Sequence, residues 1–276
     1  MSRQSFGLLK GKKGIVFGPL NEESIGWKIS EAIYDEGGKL AISNIQTALK
    51  LGNTAALAEK CGNAPLLMAD ATNDEELKKL YEDLKAAFGK IDFIVHSVGM
   101  SVNVRKNVPY ESTNYAFYMK GLEVSAMSLH KVIRYALDAD VLNDGGSVVS
   151  LSYIGAQRIF SKYNDMNDAK ALLESIARNF GSHLGSRGIR VNTVSQSPTK
   201  TSAGSGIAGF DGMYEFANMI APLGNASANE CADYVVTLLS DLTRKVTMQN
   251  LFHDGGFSTM GISDKVFELL EKGMQK

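Results

Sequence analysis

The sequence predicts an α/β protein: one doubly wound domain over residues 1–276, with a central seven-stranded parallel sheet and helices on both faces. Three observations predict it. Short apolar runs ending in turn residues alternate with segments of helical period. Most of these runs are nearly continuous hydrophobics, as strands covered on both faces must be. No Ser/Gly/Pro-rich linker, charge block or internal repeat divides the 276 residues, and only five are proline.

The candidate strands are KGIVFG (13–18), KLAISN (39–44), PLLMAD (65–70), IDFIVHS (91–97), SVVSLS (147–152), IRVNTVS (189–195) and NLFHDG (250–255). After the first strand, Ile25, Ile29 and Ile33 recur at helical spacing. After the third, Leu77, Leu80, Tyr81, Leu84, Ala87 and Phe88 form one stripe, with Asn73 as N-cap and Glu76 three residues on. Ser227 to Glu230 (SANE) announces a further helix start.

A composition of 44% apolar and 21% charged residues matches a compact soluble protein. The formal net charge of −1 and a pI near 6.4 argue against a partner held by bulk electrostatics, such as nucleic acid or an anionic bilayer. The opening MSRQSFGLLKGKKG has no apolar run of signal-peptide length, and nowhere do eighteen apolar residues follow one another. The expected location is the cytoplasm. Cys61 and Cys231 lack a CxxC or a histidine at metal spacing, so buried reduced thiols are expected and no metal site.

The first turn, GPLNEESIG, runs from a buried strand into a helix. In a doubly wound sheet that helix offers unpaired N–H groups and the positive end of its dipole to a pyrophosphate. The G-x-G-x-x-G spacing is missing, however, so spacing alone supports equally a tight βα turn with Gly18 relieving a steric conflict. Glu22 and Glu23 would repel a phosphate, which requires that they point away from any dinucleotide bound there.

YNDMNDAK sets Tyr163 and Lys170 seven positions apart, at what reads as the start of a long helix. At about 100° per residue, seven positions bring two side chains back to one face, two turns apart, where they can serve one ligand. Tyr153 follows a strand and so emerges at the carboxyl edge of the sheet, the ligand-binding side of open α/β folds. Taken alone, it reads as a packed aromatic. His96 reads as a packed strand-end histidine.

Gly18-x5-Ser24-Ile25, then HSVG (96–99), SYIG (152–155), Tyr163-x6-Lys170, SPTKT (197–201) and HDGGF (253–257) together resemble the bacterial enoyl-acyl-carrier-protein reductases. These belong to the short-chain dehydrogenase/reductase superfamily, with a Rossmann-type fold. The likeness runs over about residues 8 to 260, and two tyrosines ten apart followed by a lysine seven further on are its most specific element. Ordinary superfamily members use Tyr-x3-Lys, whereas Met166 and Asn167 stand three and four after Tyr163. Ser197 stands where a glycine is usual, and Pro19 stiffens the first turn.

The resemblance implies reduction of trans-2-enoyl thioesters borne by acyl-carrier protein, with NADH as cofactor, NADPH not excluded, and a homotetramer. Tyr163 would stabilise the charge that develops on the thioester oxygen, Lys170 would hold the nicotinamide ribose, and Tyr153 would support the reaction. Gly18, Ser24 and Ile25 would meet the pyrophosphate, Asp70 and Ala71 the adenine, and Val98 the adenine-side ribose. Thr199 and Thr201 would lie near the nicotinamide amide and pyrophosphate, and Ser101 would contact substrate. On its own, Asp70 reads equally as the cap of a turn. AISNIQTALK offers neither an acid for a 2′-hydroxyl nor an arginine for a 2′-phosphate, and favours NADH.

Residues 199–224 read as a mobile lid with an apolar stripe of Met213, Phe216, Met219 and Ile220, or as an ordinary amphipathic helix. The loop 99–112 lies opposite in this reading, with Arg105, Lys106 and Lys200 toward the carrier protein. Two rivals stand beside this assignment. A carbonyl or alcohol oxidoreductase of the same fold should carry Tyr-x3-Lys, and a nucleotide-sensing protein without catalysis should lack the tyrosine and lysine.

Overall fold

The structure, a computed structural model, describes residues 4–202 and 204–275. Seven strands, β1 (Lys13–Phe17), β2 (Lys39–Asn44), β3 (Leu66–Met68), β4 (Ile91–His96), β5 (Leu142–Ser152), β6 (Arg190–Gln196) and β7 (Asn250–His253), make one sheet. Their order is β3-β2-β1-β4-β5-β6-β7, and every neighbouring pair is parallel. In chain order the helices are α1 (Ile25–Asp35), α2 (Gln46–Leu51), α3 (Thr54–Lys60), α4 (Asp74–Phe88), α5 (Val102–Arg105) and α6 (Tyr115–Leu122). They continue as α7 (Ser128–Asp138), α8 (Asp165–Leu184), α9 (Phe210–Ile220), α10 (Ala228–Leu239) and α11 (Asp264–Met274).

Successive strand residues feed opposite cores, which is why the strands read as unbroken apolar runs. Ile15, Phe17, Ile94 and Val148 pack with Leu80 of α4, Leu129 of α7 and Leu173 of α8. Val16, Ile42, Val95 and Val149 pack on the other face with Trp27 and Ile33 of α1 and Val235 of α10. Strand order reverses between β1 and β4, so the crevice at their carboxyl ends is the place this topology reserves for a ligand.

All seven expected strands form, with ends moved by one or a few residues. The edge strand β3 is shorter than 65–70 because it has a partner on one side alone, and β5 starts five residues earlier than 147. Asn73 caps α4, accepting from the N–H groups of Glu75 and Glu76. The Glu76 carboxylate reaches past the cap to the Asp70 N–H at 2.7 Å. At α10 the reciprocal capping box of Ser227 and Glu230 is complete.

One expectation is corrected. Tyr163 is not in the long helix, because α8 begins at Asp165 and Asn164 has φ 39°. Asparagine tolerates positive φ, and here its side-chain amide is held by the Val108 carbonyl. A turn followed by a helix thus brings Tyr163 and Lys170 to one wall. Both cysteines are buried and free, with thiols pushed up to about 12 by burial. Among the described residues no cluster suits a metal ion, and no helix is long and apolar enough to cross a membrane.

Gly18 sits between sheet and crevice at φ +101°, where a Cβ would lie 2.0 Å from the Ser97 carbonyl oxygen. Gly18→Ala combines a steric clash with an unfavourable φ, and urea unfolding should show a loss of at least about 2 kcal/mol.

Candidate active site

Two cavities, of about 230 Å³ and 420 Å³, open at the carboxyl ends of the strands and share a wall. The smaller is lined by Tyr153, Tyr163, Lys170, Ser101 and Thr199, and is roofed by Ile207, Phe210 and Met213. The larger is lined by Gly18, Ser24, Asp70, Ala71 and Thr201, and also by Ser43, Asn44 and Ile45 at the end of β2. Ile25, Ser97, Val98, Gly99, Met100 and Arg105 line both. Every residue singled out for catalysis, cofactor or substrate therefore borders one of these two spaces.

Lys170 is 7% exposed, and its Nζ donates to the Leu151 carbonyl at 2.8 Å, fixing α8 against the end of β5. Burial lowers its pKa to about 8, with Glu174 one turn on opposing the shift. Glu174 is buried too. Its carboxylate accepts from Ser152 Oγ at 2.7 Å and Gln157 Nε2 at 3.1 Å, tying the strand end that carries Tyr153 to α8.

The Tyr153 and Tyr163 rings meet edge-on, centroids 4.9 Å apart. Gly155 permits this contact: a Cβ there would stand 2.9 Å from the Tyr163 ring and 3.1 Å from the Tyr153 ring. Burial raises the pKa of both phenols, so both stay protonated and able to donate. Tyr153 Oη is buried without a hydrogen-bond partner among the described residues, as is Ser43 Oγ beside the larger cavity. Unsatisfied buried hydroxyls lining a cavity call for a polar ligand.

The first helix turn is also built for an anion. Ser24 caps α1, accepting from Trp27 N at 3.3 Å and Leu20 N at 3.2 Å, and no acid lies in the first turn. Glu22 and Glu23 are exposed and line neither cavity, as a phosphate at this turn requires. Asp70 caps a turn, its Oδ1 accepting from Thr72 N at 2.8 Å and Thr72 Oγ1 at 2.7 Å, and the residue also borders the larger cavity. The lining fits a dinucleotide: an anion-binding turn between two pockets, with polar groups at the far end of each.

Ser101 lines the smaller cavity, but its hydroxyl is engaged elsewhere. It donates to Asp165 Oδ1 at 2.6 Å and accepts from Val104 N at 3.1 Å as the cap of α5. Ser197, where a glycine is usual, accepts from Ala226 N at 2.8 Å and so fastens the chain leaving β6 to the segment before α10. His96 lies fully buried between Ser150 Oγ at 2.9 Å and Ser128 Oγ at 2.8 Å. Desolvation, followed by the nearby Lys170 charge, lowers its pKa to about 3, so it packs as a neutral strand-end histidine.

Sequence reasoning passed over Asn44 and Gln196, the last residues of β2 and β6. Asn44 donates to the Pro19 carbonyl at 2.9 Å, and Gln196 to Thr199 Oγ1 at 3.2 Å. Their position as the final polar residues of buried strands was the available signal. In α9, Phe210, Ala217 and Ile220 are buried and Met213 faces the cavity, whereas Phe216 is 45% exposed. Of the expected stripe, Met213 and Ile220 thus lie on the covered side, and the Phe216 ring meets Phe257 from its edge.

The parallel sheet, the cleft at its switch point and the Tyr/Lys wall define a dinucleotide-dependent reductase of the short-chain dehydrogenase/reductase class. Within that class the chain belongs to the enoyl-(acyl carrier protein) reductase family, whose model matches residues 18–258. An enoyl-[acyl-carrier-protein] reductase [NADH] of Rhizobium meliloti is 35% identical over 261 residues, covering 94% of each chain. The FabI–NADH complex from Alistipes finegoldii is 54% identical with a TM-score of 0.92, covering 94% of this chain and 92% of that one. The Bacillus cereus enoyl-acyl carrier protein reductase with NADP+ and indole naphthyridinone is 32% identical with a TM-score of 0.87, covering 92% and 99%.

The Lys170 shift fixes a pH test. Its pKa is near 8 when folded against 10.5 for the free side chain, so in that window the unfolded chain holds the extra proton. Stability contributed by this site therefore rises with pH between those values. Urea unfolding across that range should show the rise in wild type relative to Lys170→Met; parallel profiles would contradict it.

Proposed function

We propose that this protein reduces the trans-2 double bond of enoyl thioesters carried by acyl-carrier protein, the last step of the fatty-acid elongation cycle, with NADH as reductant. One observation carries the reading: the buried, protonated Tyr163 shares a cavity wall with the buried Lys170 and with Tyr153, whose hydroxyl has no hydrogen-bond partner among the described residues, and that cavity adjoins a dinucleotide-sized cleft.

The larger cavity would hold the adenosine half, between Asp70 and Ala71 and the end of β2, with Gly18, Ser24 and Ile25 at the pyrophosphate. Val98 would flank the adenine-side ribose, and Thr199 and Thr201 the nicotinamide side. When bound, the reduced nicotinamide supplies the hydride that C3 of the enoyl group accepts. Lys170, charged below about pH 8, holds ribose hydroxyls and adds a positive field beside the reacting atoms. Tyr163 donates to the thioester oxygen, a bond that strengthens as negative charge gathers there, which is the differential binding that lowers a barrier. Tyr153 packs on Tyr163 and offers a second donor. Ser101 shapes the substrate wall through its backbone and Cβ, its hydroxyl being engaged.

Residues 1–276 act as one domain, and 199–224 act as the lid over the acyl chain, with Ile207, Phe210 and Met213 supplying its apolar underside. The working form is a cytoplasmic homotetramer that meets acyl-carrier protein.

Following cofactor absorbance with crotonyl thioester tests the proposal. Wild type should oxidise NADH in preference to NADPH. Tyr163→Phe should lose about hundredfold or more in kcat, roughly 3 kcal/mol, with NADH affinity intact. No oxidation of either cofactor by wild type would overturn it.

A further inference from the structure

We infer that Arg105 is a cofactor-binding residue that closes over the pyrophosphate of the dinucleotide; the inference rests on the reading above. A dinucleotide carries its two phosphates at the middle of the molecule. A cofactor spanning both cavities must carry that dianion across the wall they share. Six residues form that wall, and Arg105 is the one charged residue among them.

The surrounding charges make this cation matter. Lys170 is inside the smaller cavity, bonded to the Leu151 carbonyl and assigned to the nicotinamide ribose. Lys120, on the rim of the larger cavity, is paired with Glu123 at 3.0 Å. The approach to the α1 N-terminus carries Glu22 and Glu23, both exposed. Without Arg105, the pyrophosphate would meet the helix dipole, N–H groups and hydroxyls such as those of Ser24 and Thr201, with no charged side chain on the shared wall.

Geometry leaves the guanidinium available. Arg105 ends α5 and is exposed at the cleft, with no hydrogen bond or ion pair from its side chain to a described residue. It reaches across the cleft: a Cβ on Gly206 would stand 3.7 Å from its Nε and 3.8 Å from its Cζ. The base of α5 is rigid, because Asp165, 3% exposed, holds both Ser101 Oγ at 2.6 Å and Asn103 Nδ2 at 2.8 Å. A guanidinium on a fixed stem beside a glycine turn can present its planar donors to two phosphate oxygens at once. The neighbouring cations are placed otherwise, Lys106 over the Phe117 ring at 4.8 Å and Lys200 over the Tyr214 ring at 4.4 Å.

Calorimetric titration of the full chain with NADH and with ADP-ribose, which keeps the pyrophosphate and lacks the nicotinamide, separates the possibilities. Arg105→Ala should weaken both ligands about tenfold to hundredfold and flatten the salt dependence of binding. Arg105→Lys should recover part of the loss, and Lys106→Ala should bind as wild type. Unchanged ADP-ribose affinity in Arg105→Ala would overturn the inference, including where affinity falls only for a thioester bearing the pantetheine phosphate. Wild-type chain that binds neither ligand would overturn the functional reading as well, so the two failures are distinguishable.

Discussion

The buried ammonium of Lys170 is the constraint on which the site depends. Removing a charge from water costs several kcal/mol, and one carbonyl, that of Leu151, returns only part of it. The fold tolerates this arrangement because α8 is pinned along its length against the sheet. Leu173 and Ala177 lie in the core, while Glu174 grips Ser152 and Gln157 at the strand end. A cation held there, short of partners, is a standing demand for hydroxyls and developing negative charge. Tyr163, Tyr153 and the helix cap at Ser24 supply the rest of a surface fitted to an electron-rich ligand.

Topology explains why these groups meet although they are far apart in the chain. The parallel sheet points every strand end to one edge, and the reversal between β1 and β4 parts the loops at the centre of that edge. Gly18 lets the first turn pass close to Ser97, and Gly155 lets two tyrosines touch. Neither glycine carries a chemical group, yet a methyl at either position would displace one that does.

Much of this was legible in the chain. The seven strands are readable because burial on both faces forces continuous apolar runs, and the α4 and α10 starts because Asn73 and Ser227 cap them. The site residues were legible through motif resemblance, since position at a strand end cannot by itself tell a ligand contact from a packed side chain. What escaped notice depended on local backbone. Asn164 takes positive φ and removes Tyr163 from α8, so helical periodicity gave the right juxtaposition for an incomplete reason. In α9 the covered side extends to Phe210 and Ala217 beside the expected Met213 and Ile220, while Phe216 stays partly exposed with its ring against Phe257. The engagement of Ser101 by Asp165 joins residues 64 positions apart, and no local pattern announces it.

The Tyr163 hydroxyl and the Lys170 ammonium are expected to converge on one nicotinamide and its acceptor. A crystal structure with NAD+ and an enoyl thioester together tests this convergence most directly. The thioester oxygen should lie within hydrogen-bond distance of Tyr163 Oη and the nicotinamide ribose hydroxyls on Lys170 Nζ. A thioester or a nicotinamide ribose bound away from these two groups would contradict it.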